Sequence, residues 1–226
     1  MANLMDRKTS YRPFVTLLAL CLALWVAAGC TIATIRPLDP VTGKPIIGNE
    51  DQQFNAARLV AGFWDTQVVP ALQENAQDFN TVVAALKANK DAASETYGRR
   101  EGQQPYSFMV TGTGTVLEVN TESRAGLALV DTNDDGAADV KLAIGPVIRG
   151  TALRDSMPFI QFNQFTNQME YASVSNEMHL LLTEKVLTPL GDLTTLAGKN
   201  VTFYGAFTLG NLDEFIVAPG ILTVNG

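Results

Sequence analysis

The pattern of hydrophobic and polar residues changes three times along the chain. Residues 14–29 are almost all apolar, and residues 30–49 are interrupted by prolines and glycines. From residue 51 apolar side chains recur at three- and four-residue spacing, which indicates helices, and after residue 98 β-branched and aromatic residues favour strands. The pattern predicts four parts: a leader (1–29), an extended tether (30–49), an N-terminal helical unit (50–98) and a β-rich domain (99–226).

Three helices are predicted in the helical unit. The first is expected to kink or end at Pro70, the second begins after the N-cap Asp78, and the third covers Asp91 to Tyr97. Each helix would bury a single face, so the unit must pack against another part of the protein. The apolar stripes of the first two helices are Phe54, Ala57, Val60, Ala61, Trp64 and Val68, and then Phe79, Val82, Val83 and Leu86.

Five strands are predicted in the β-rich domain, with a helix between the third and the fourth. Gly112 and Gly114 indicate a strongly bent first strand, and the helix is expected to be capped by Ser173 or Ser175 and to end at Pro189. This order favours the α+β class, as an OB-like five-stranded β-barrel with an inserted helix after strand three. An unrelated meander would give a similar order. The strands are Tyr106–Val119, Leu127–Val130, Asp139–Ile144, Asn200–Leu209 and Phe215–Val224, and the helix faces inward with Met178, Leu181, Leu182 and Leu187.

The leader ends in Val26-Ala27-Ala28-Gly29-Cys30, which resembles the lipobox of bacterial lipoproteins. Basic residues precede an apolar run of about 16 residues, which is shorter than the roughly 20 that a membrane-spanning helix needs. The resemblance implies a signal peptide that is cleaved before Cys30 and a lipid on the Cys30 thiol, which would anchor the protein at the periplasmic face of a membrane. The alternative is an uncleaved membrane anchor. The residue after Cys30 is Thr31 and not an aspartate, which resembles the sorting pattern of outer-membrane lipoproteins.

Charge and rare residues limit what the mature protein can do. Cleavage removes three basic residues and one acidic residue, which leaves 13 Lys+Arg, 22 Asp+Glu and a net charge near −9. Such a surface repels phosphate backbones, so nucleic acid is not expected as a partner. Cys21 leaves with the leader, Cys30 carries lipid and His179 is the single histidine, which argues against thiol chemistry, most zinc sites and His-dependent triads.

The loop of residues 131–139, called the aspartate hairpin below, carries the strongest local motif. Oxygen-bearing side chains occupy its positions 1, 3, 5 and 9, glycine occupies position 6, and a backbone carbonyl is expected at position 7, as in the first half of a calcium loop. Position 12, which is a glutamate in helix-loop-helix calcium sites, is Leu142 here. The loop ends instead with an aspartate at position 9 and so resembles the calcium hairpins of β-propeller repeats. The alternative is a solvated turn. The candidate calcium ligands are Asp131, Asn133, Asp135, Ala137 and Asp139.

Two stretches are candidates for ligand binding. Arg149, Gly150 and Thr151 follow a predicted strand and could hold an anion at the start of a helical turn. The stretch from Phe159 to Gln168 mixes aromatic rings with amides, as saccharide sites do, and contributes Asn163, Asn167 and Gln168 as candidates. The alternatives are a turn in which Arg149 pairs with a carboxylate, and core phenylalanines beside exposed amides.

The sequence contains no recognisable enzyme motif. There is no G-x-S-x-G, no H-E-x-x-H, no phosphate-binding loop and no dinucleotide-binding glycine set. Glu170, Glu177 and Glu184 are spaced by seven residues and could supply a glycosidase with its acid and base, but a solvated helix face has the same spacing. We therefore expect a non-enzymatic protein.

Several of these stretches together resemble a family of predicted periplasmic lipoproteins that carries the label domain of unknown function 2291. The resemblance implies no assigned activity and a gene neighbourhood of sugar-type ABC transporters. It favours an accessory of sugar or solute uptake that contacts a substrate-binding protein or a permease, with a periplasmic small-ligand or saccharide binder as the alternative. The stretches are Tyr97–Gly102, Pro105–Phe108, the aspartate hairpin, Gly145–Asp155, Phe165–Gln168 and Gly198–Gly205.

Overall fold

Residues 54–225 are the part of the chain that the computed structural model describes. The predicted leader, the lipidation site Cys30 and the tether lie outside the described residues. Within the described residues, no helix has the length and the apolar character needed to cross a membrane.

Five long strands close into a barrel. β1 (Ser107–Asn120) pairs antiparallel with β2 (Leu127–Asp131) and with β4 (Asn200–Thr208), β2 pairs with β3 (Val140–Ala143), and β4 pairs with β5 (Ile216–Val224). Parallel pairing of β3 with β5 closes the ring. The α+β class and the OB-like barrel are therefore confirmed, and every strand boundary lies within about one residue of its prediction because the alternating pattern and the turn residues are local signals.

The first strand belongs to both halves of the barrel. Residues 107–115 pair with β4 and residues 115–120 pair with β2, with a bulge between Val116 and Glu118. Its glycines lie where neighbouring groups crowd the strand. A Cβ at Gly114 would lie 2.2 Å from the carbonyl oxygen of Asp131, and a Cβ at Gly112 would lie 2.7 Å from the Phe203 ring.

Two short strand segments cover the part of β1 that has no barrel strand on its second side. Gln77–Asp78 pairs in parallel with residues 110–111, and Gly98–Arg99 pairs antiparallel with residues 107–108. Both segments adjoin helices of the N-terminal region, so these helices are connected to the barrel through the sheet as well as through side chains.

The N-terminal helices follow the predicted order. α1 (Ala56–Phe63) continues through a π-helical turn (Trp64–Val68) into α2 (Val69–Asn75), which carries Pro70 in its first turn. Proline has no N–H and its ring crowds the preceding turn, and the π-helical turn changes the hydrogen bonding just before it, where the Val69 N–H bonds to the carbonyl of Trp64. The interruption expected at Pro70 is thus a π-helical turn before the proline, and helical structure continues beyond it.

Side chains cap the next two helices, α3 (Phe79–Ala88) and α4 (Lys90–Tyr97). The carboxylate of Asp78 accepts the backbone N–H of Thr81 at 2.8 Å, so the predicted cap of α3 is confirmed. Asn89 caps α4 in the same way by accepting the N–H of Ala92 at 3.1 Å.

The connection between β3 and β4 contains α5 (Ala152–Asp155) and α6 (Gln168–Leu182). The predicted caps of the long helix are wrong. Asn167 is the N-cap, since its side chain accepts the N–H of Glu170 at 2.9 Å, whereas Ser173 and Ser175 are buried inside the helix. A serine can lie within a helix when its hydroxyl donates to the preceding turn, as Ser173 does to the carbonyl of Glu170 at 2.7 Å.

Short helical turns complete the same connection. A 3₁₀ turn at Phe162–Gln164 precedes α6, and a π-helical turn at Thr183–Leu187 extends it. The 3₁₀ turns Thr188–Leu190 and Leu193–Leu196 lead into β4, and the first of them contains the predicted stop, Pro189.

Helices and barrel share one hydrophobic core. Phe79 of α3 packs edge-on against Phe203 of β4 and Phe215 at the start of β5, with ring centres 6.3 and 5.7 Å apart, and Phe108 stacks on Phe207 at 5.0 Å. Leu72 of α2 and Leu153 of α5 both pack over Gly220 of β5. Apolar residues of α2 and α3 are therefore buried on the barrel, and α1 packs against α6.

The crowding at Gly114 generates a stability prediction. We expect Gly114→Ala to lower the free energy of unfolding by about 2–3 kcal/mol, because the new methyl group meets a backbone carbonyl that cannot move without disturbing the β1–β2 ladder. The matched control is Gly62→Ala in α1, where a Cβ meets nothing within 4 Å. That change should raise the free energy of unfolding by up to about 1 kcal/mol, because alanine favours the helix. Urea unfolding measures both, and equal effects of the two substitutions would contradict the prediction.

Candidate functional site

The aspartate hairpin is folded by its own side chains. Asp131, which is 3% exposed, accepts the backbone N–H groups of Asn133 at 3.1 Å, Asp134 at 2.8 Å and Gly136 at 2.8 Å. Burial raises the pKa of Asp131, but these backbone hydrogen bonds together outweigh burial and hold the pKa below its ordinary value. Left-handed backbone at Asp134 (φ 61°) and Gly136 (φ 83°) allows the sharp turn.

The other predicted side-chain ligands of calcium also accept hydrogen bonds within the hairpin. Asn133 Oδ1 accepts the N–H of Asp135 at 3.0 Å, Asp135 Oδ1 accepts the N–H of Ala137 at 2.8 Å, and Asp139 Oδ2 accepts the N–H of Thr132 at 2.8 Å. In the described part of the chain, no three or more His, Cys, Asp or Glu residues form a group that could hold a metal ion. These hydrogen bonds define the shape of the hairpin, and calcium binding there stays a prediction.

The first predicted ligand stretch lies outside the aromatic groove described below. Arg149 is exposed, and no ion pair of Arg149 occurs within residues 54–225. Gly150 has a φ of 84°, and the hydroxyl of Thr151 donates inward to Asp155 Oδ2 at 2.5 Å. The helix that follows, α5, is a single turn. Arg149 and Gly150 are accessible from solvent, and their binding role stays a prediction.

A groove with aromatic walls lies between α1 and the segment of residues 159–165. It has a volume of about 430 Å³. Phe63 of α1 contacts Phe159 edge-on at 5.5 Å, and Phe54 contacts Phe165 at 5.7 Å, so aromatic pairs connect the two walls. The residues that line the groove are Phe54, Leu59, Phe63, Gln67, Phe159, Ile160, Gln164 and Phe165.

A second, more open depression continues this groove along the outer side of α1. It has a volume of about 530 Å³ and shares Phe54, Leu59, Phe63 and Gln67 with the groove. Asn55, Arg58 and Gly62 line the rest of it. The aromatic groove itself carries two amides and no charged side chain, so it offers stacking surfaces and a few neutral hydrogen-bonding groups.

The second predicted ligand stretch, residues 159–168, lines part of the groove, but not through the three residues predicted to bind ligand. Gln164 and Phe165 line the groove, whereas Asn163 is exposed outside it, Asn167 caps α6 and Gln168 is the exposed first residue of that helix. The α1 wall was not predicted. The sequence marks this wall only by Leu59, an apolar residue that lies outside the predicted core stripe of the first helix. In the structure Leu59 is 40% exposed.

A buried polar network also escaped the sequence analysis. Arg154 and Asp155 are each 6% exposed and form an ion pair with an Nη2–Oδ1 distance of 2.7 Å. The Arg154 guanidinium lies 3.6 Å from the ring centre of Tyr171 and donates to the Tyr171 carbonyl at 3.0 Å, and the Tyr171 hydroxyl donates to Asp155 Oδ1 at 3.1 Å. Burial is the main cause that raises the pKa of Tyr171 to about 12. Arg99 joins these residues by donating from Nη1 to the backbone carbonyl of Asp155 at 2.6 Å. We call Arg99, Arg154, Asp155 and Tyr171 the Arg154 network.

The carboxylates that could have formed a glycosidase pair lie apart from the groove. Glu170 is buried in the first turn of α6, where its Oε2 accepts the N–H of Thr166 at 2.8 Å. Glu177 is partly exposed on α6, Glu184 is exposed on the turn that follows, and neither lines the groove. Burial, and then the nearby charge of Arg154, lower the pKa of His179 below its ordinary value, which favours its neutral form.

Comparisons with known proteins agree with the barrel and with the lipobox. A family model described as a predicted periplasmic lipoprotein, domain of unknown function 2291, matches residues 20–223. No curated protein sequence matches the chain. Among solved structures, the crystal structure of an OB-fold protein from Thermotoga maritima matches with a TM-score of 0.64 and 18% identity, covering 77% of this chain and 100% of that chain. At this identity the likeness shows the fold alone.

Calcium binding by the aspartate hairpin can be tested with one matched pair of variants. We expect calcium at 1–10 mM to raise the Tm of the mature protein and a chelator to reverse the rise, since sites outside the cytoplasm bind with dissociation constants of about 10⁻⁴–10⁻³ M. Asp135→Asn keeps an acceptor for Ala137 but removes one ligand charge, so the rise should shrink. Asp134→Asn makes the same charge change at a residue that is not a predicted ligand. A Tm that changes neither with calcium nor with chelator would contradict the prediction.

Proposed function

Because the chain belongs to the family of predicted periplasmic lipoproteins, we propose that it is a non-enzymatic binding module, lipid-anchored through Cys30, with the aromatic groove as its binding site. Family membership supports a membrane-anchored location in the periplasm. The observation that carries the binding role is the groove between α1 and residues 159–165, which combines four phenylalanines with two glutamines.

The size and chemistry of the groove fit a small neutral ligand. Its volume of about 430 Å³ lies within the roughly 300–1,000 Å³ that ligand pockets occupy, and such pockets are mostly apolar with a few polar groups that fix orientation. Phenylalanine faces stack on the apolar faces of sugar rings, and the amide of Gln67 can both donate to and accept from hydroxyl groups. The Oε1 of Gln164 accepts the backbone N–H of Gln161 at 2.9 Å, so its amide NH₂ group is the part that can donate to a ligand. A saccharide, or another neutral molecule with one apolar face, is the ligand class that this lining supports.

A second function, as an accessory of sugar or solute ABC uptake, is supported by apolar side chains exposed beside the groove. Phe162, Met169 and Leu180 are 39%, 49% and 61% exposed on the 3₁₀ turn and on α6, and Leu59 is 40% exposed on α1, which packs against α6. A contiguous exposed apolar patch favours contact with another protein, and we propose that these side chains belong to one such patch. The partner would be a substrate-binding protein or a permease, and the two functions are compatible because a module that binds a saccharide can act beside a transporter.

A ligand screen tests the binding function. We expect at least one neutral mono- or oligosaccharide to raise the Tm of the mature protein, by about 5–10 °C at a hundredfold excess over its Kd. Phe159→Ala and Gln164→Ala should each reduce the shift, because they remove a stacking surface and an amide from the groove. Arg149→Ala should leave the shift unchanged. A shift that is lost in Arg149→Ala but kept in Gln164→Ala would move the site to residues 149–151, and a panel without any shift would contradict the binding function.

Crosslinking in cells tests the accessory function. Purification of the anchored protein after crosslinking is expected to recover a component of a solute transporter, and Leu180→Ser should lower its yield several-fold, since Leu180 is the most exposed large apolar side chain in the described residues. Ala172→Ser, another exposed position of α6, is the control for a surface change without a large apolar side chain. Repeated recovery of no transporter component would contradict this function.

A further inference from the structure

One wall of the aromatic groove has little secondary structure of its own. Between α5 and α6 the chain contains only the 3₁₀ turn Phe162–Gln164, so contacts from other parts of the chain add to the few local hydrogen bonds that hold residues 159–165. Arg99, in the short strand segment that follows α4, supplies two of these contacts. Its Nη1 donates to the carbonyl of Asp155 at 2.6 Å, and its Nη2 donates to the carbonyl of Ile160 at 3.4 Å.

Glu101 extends this support to the middle of the wall. It forms an ion pair with Arg99 at 3.5 Å and accepts the backbone N–H of Phe162 at 3.2 Å. Arg99 and Glu101 thus fix the backbone at Ile160 and Phe162, which lie about sixty residues further along the sequence.

Tyr171 connects the wall with the buried ion pair. Its ring contacts Phe162 and Phe165, with ring centres 5.4 Å apart in each case. The same side chain lies under the guanidinium of Arg154 and donates to Asp155. Because Phe165 lines the groove, the position of the groove wall is coupled to the Arg154–Asp155 pair through one aromatic ring.

Net stability alone gives little reason for this arrangement. Removing two charges from water costs free energy that their attraction in the interior often fails to recover, and well-packed apolar residues can hold two helices together equally well. Apolar contacts, however, do not fix direction. The Arg154 network makes directed hydrogen bonds to the carbonyls of Asp155, Ile160 and Tyr171, so it defines where the chain between α5 and α6 lies.

We propose that Arg99, Arg154, Asp155 and Tyr171 are positioning residues of the groove, which hold the wall of residues 159–165 at a fixed distance from α1 so that ligand enters an open slot. This inference rests on the proposed binding function, because a groove without a ligand would need no fixed wall. The residues act through Phe162 and Phe165 and not by touching the ligand.

Hydrogen–deuterium exchange of the mature protein without ligand tests the proposal. The triple variant Arg154→Met/Asp155→Leu/Tyr171→Phe removes the three buried members of the network and leaves no buried charge unpaired, while Arg99 keeps its backbone carbonyl acceptors at positions 155 and 160. We expect the amides of Ile160, Phe162 and Phe165, which are hydrogen-bonded in the wall, to exchange at least tenfold faster. The amides of the β1–β4 ladder should keep their wild-type rates. Unchanged wall amides, or an equal acceleration throughout the barrel, would overturn the proposal.

Arg99→Met is the second variant, because Arg99 is partly exposed and its loss is compatible with folding even if the triple variant does not fold. It should accelerate exchange of Ile160 and Phe162 with the ladder unchanged, and wild-type rates at both amides would overturn the proposal. The matched control is Lys185→Met, which removes an exposed ion pair with Asp65 at 2.6 Å and should leave the wall unaffected.

The two proposals can fail separately. The exchange measurement needs no ligand, so an unsuccessful saccharide screen would remove the binding function without altering its result. Conversely, a saccharide that bound the triple variant with wild-type Kd would overturn the positioning role and leave the binding function intact.

Discussion

Closure of the barrel through β1 is the constraint on which the rest of the structure depends. One strand pairs with β4 over its first part and with β2 over its last part, so the chain must turn across the ring within a few residues. Such a turn brings the backbones of neighbouring strands closer than a side chain permits, which is why Gly114 faces the carbonyl of Asp131. The parallel β3–β5 pairing joins the two halves on the other side of the ring.

The long connection between β3 and β4 contains the helices that cover the barrel and form one wall of the groove. Its helices contact α1, β1 and β4, so the N-terminal helices and the inserted helix enclose the barrel in one continuous core. α1 has apolar residues on two sides. One side is buried on the core, and the other, with Leu59, borders the groove. The groove therefore lies where α1 has more apolar surface than its packing against α6 covers.

Local signals account for what could be predicted from the sequence. Strand alternation, the two glycines of β1 and the Asp78 cap each depend on residues within a few positions, and all are found as expected. The start of α6 could not be placed in this way because Asn167, Ser173 and Ser175 are all good caps, and only packing decides among them. The groove and the Arg154 network depend on segments far apart in sequence. Arg154 and Asp155 moreover belong to residue types that are rarely buried, so no local pattern marks them as interior.

The two short segments that cover β1 have a consequence for molecules crowded on a membrane. Lipoproteins are confined to a surface, where they meet one another far more often than molecules that diffuse in three dimensions. An exposed strand edge at that density would recruit the edge of a neighbour and start a growing sheet. Gln77–Asp78 and Gly98–Arg99 occupy the hydrogen-bonding groups through which this would begin, so the protein can be abundant on the bilayer without associating through that strand.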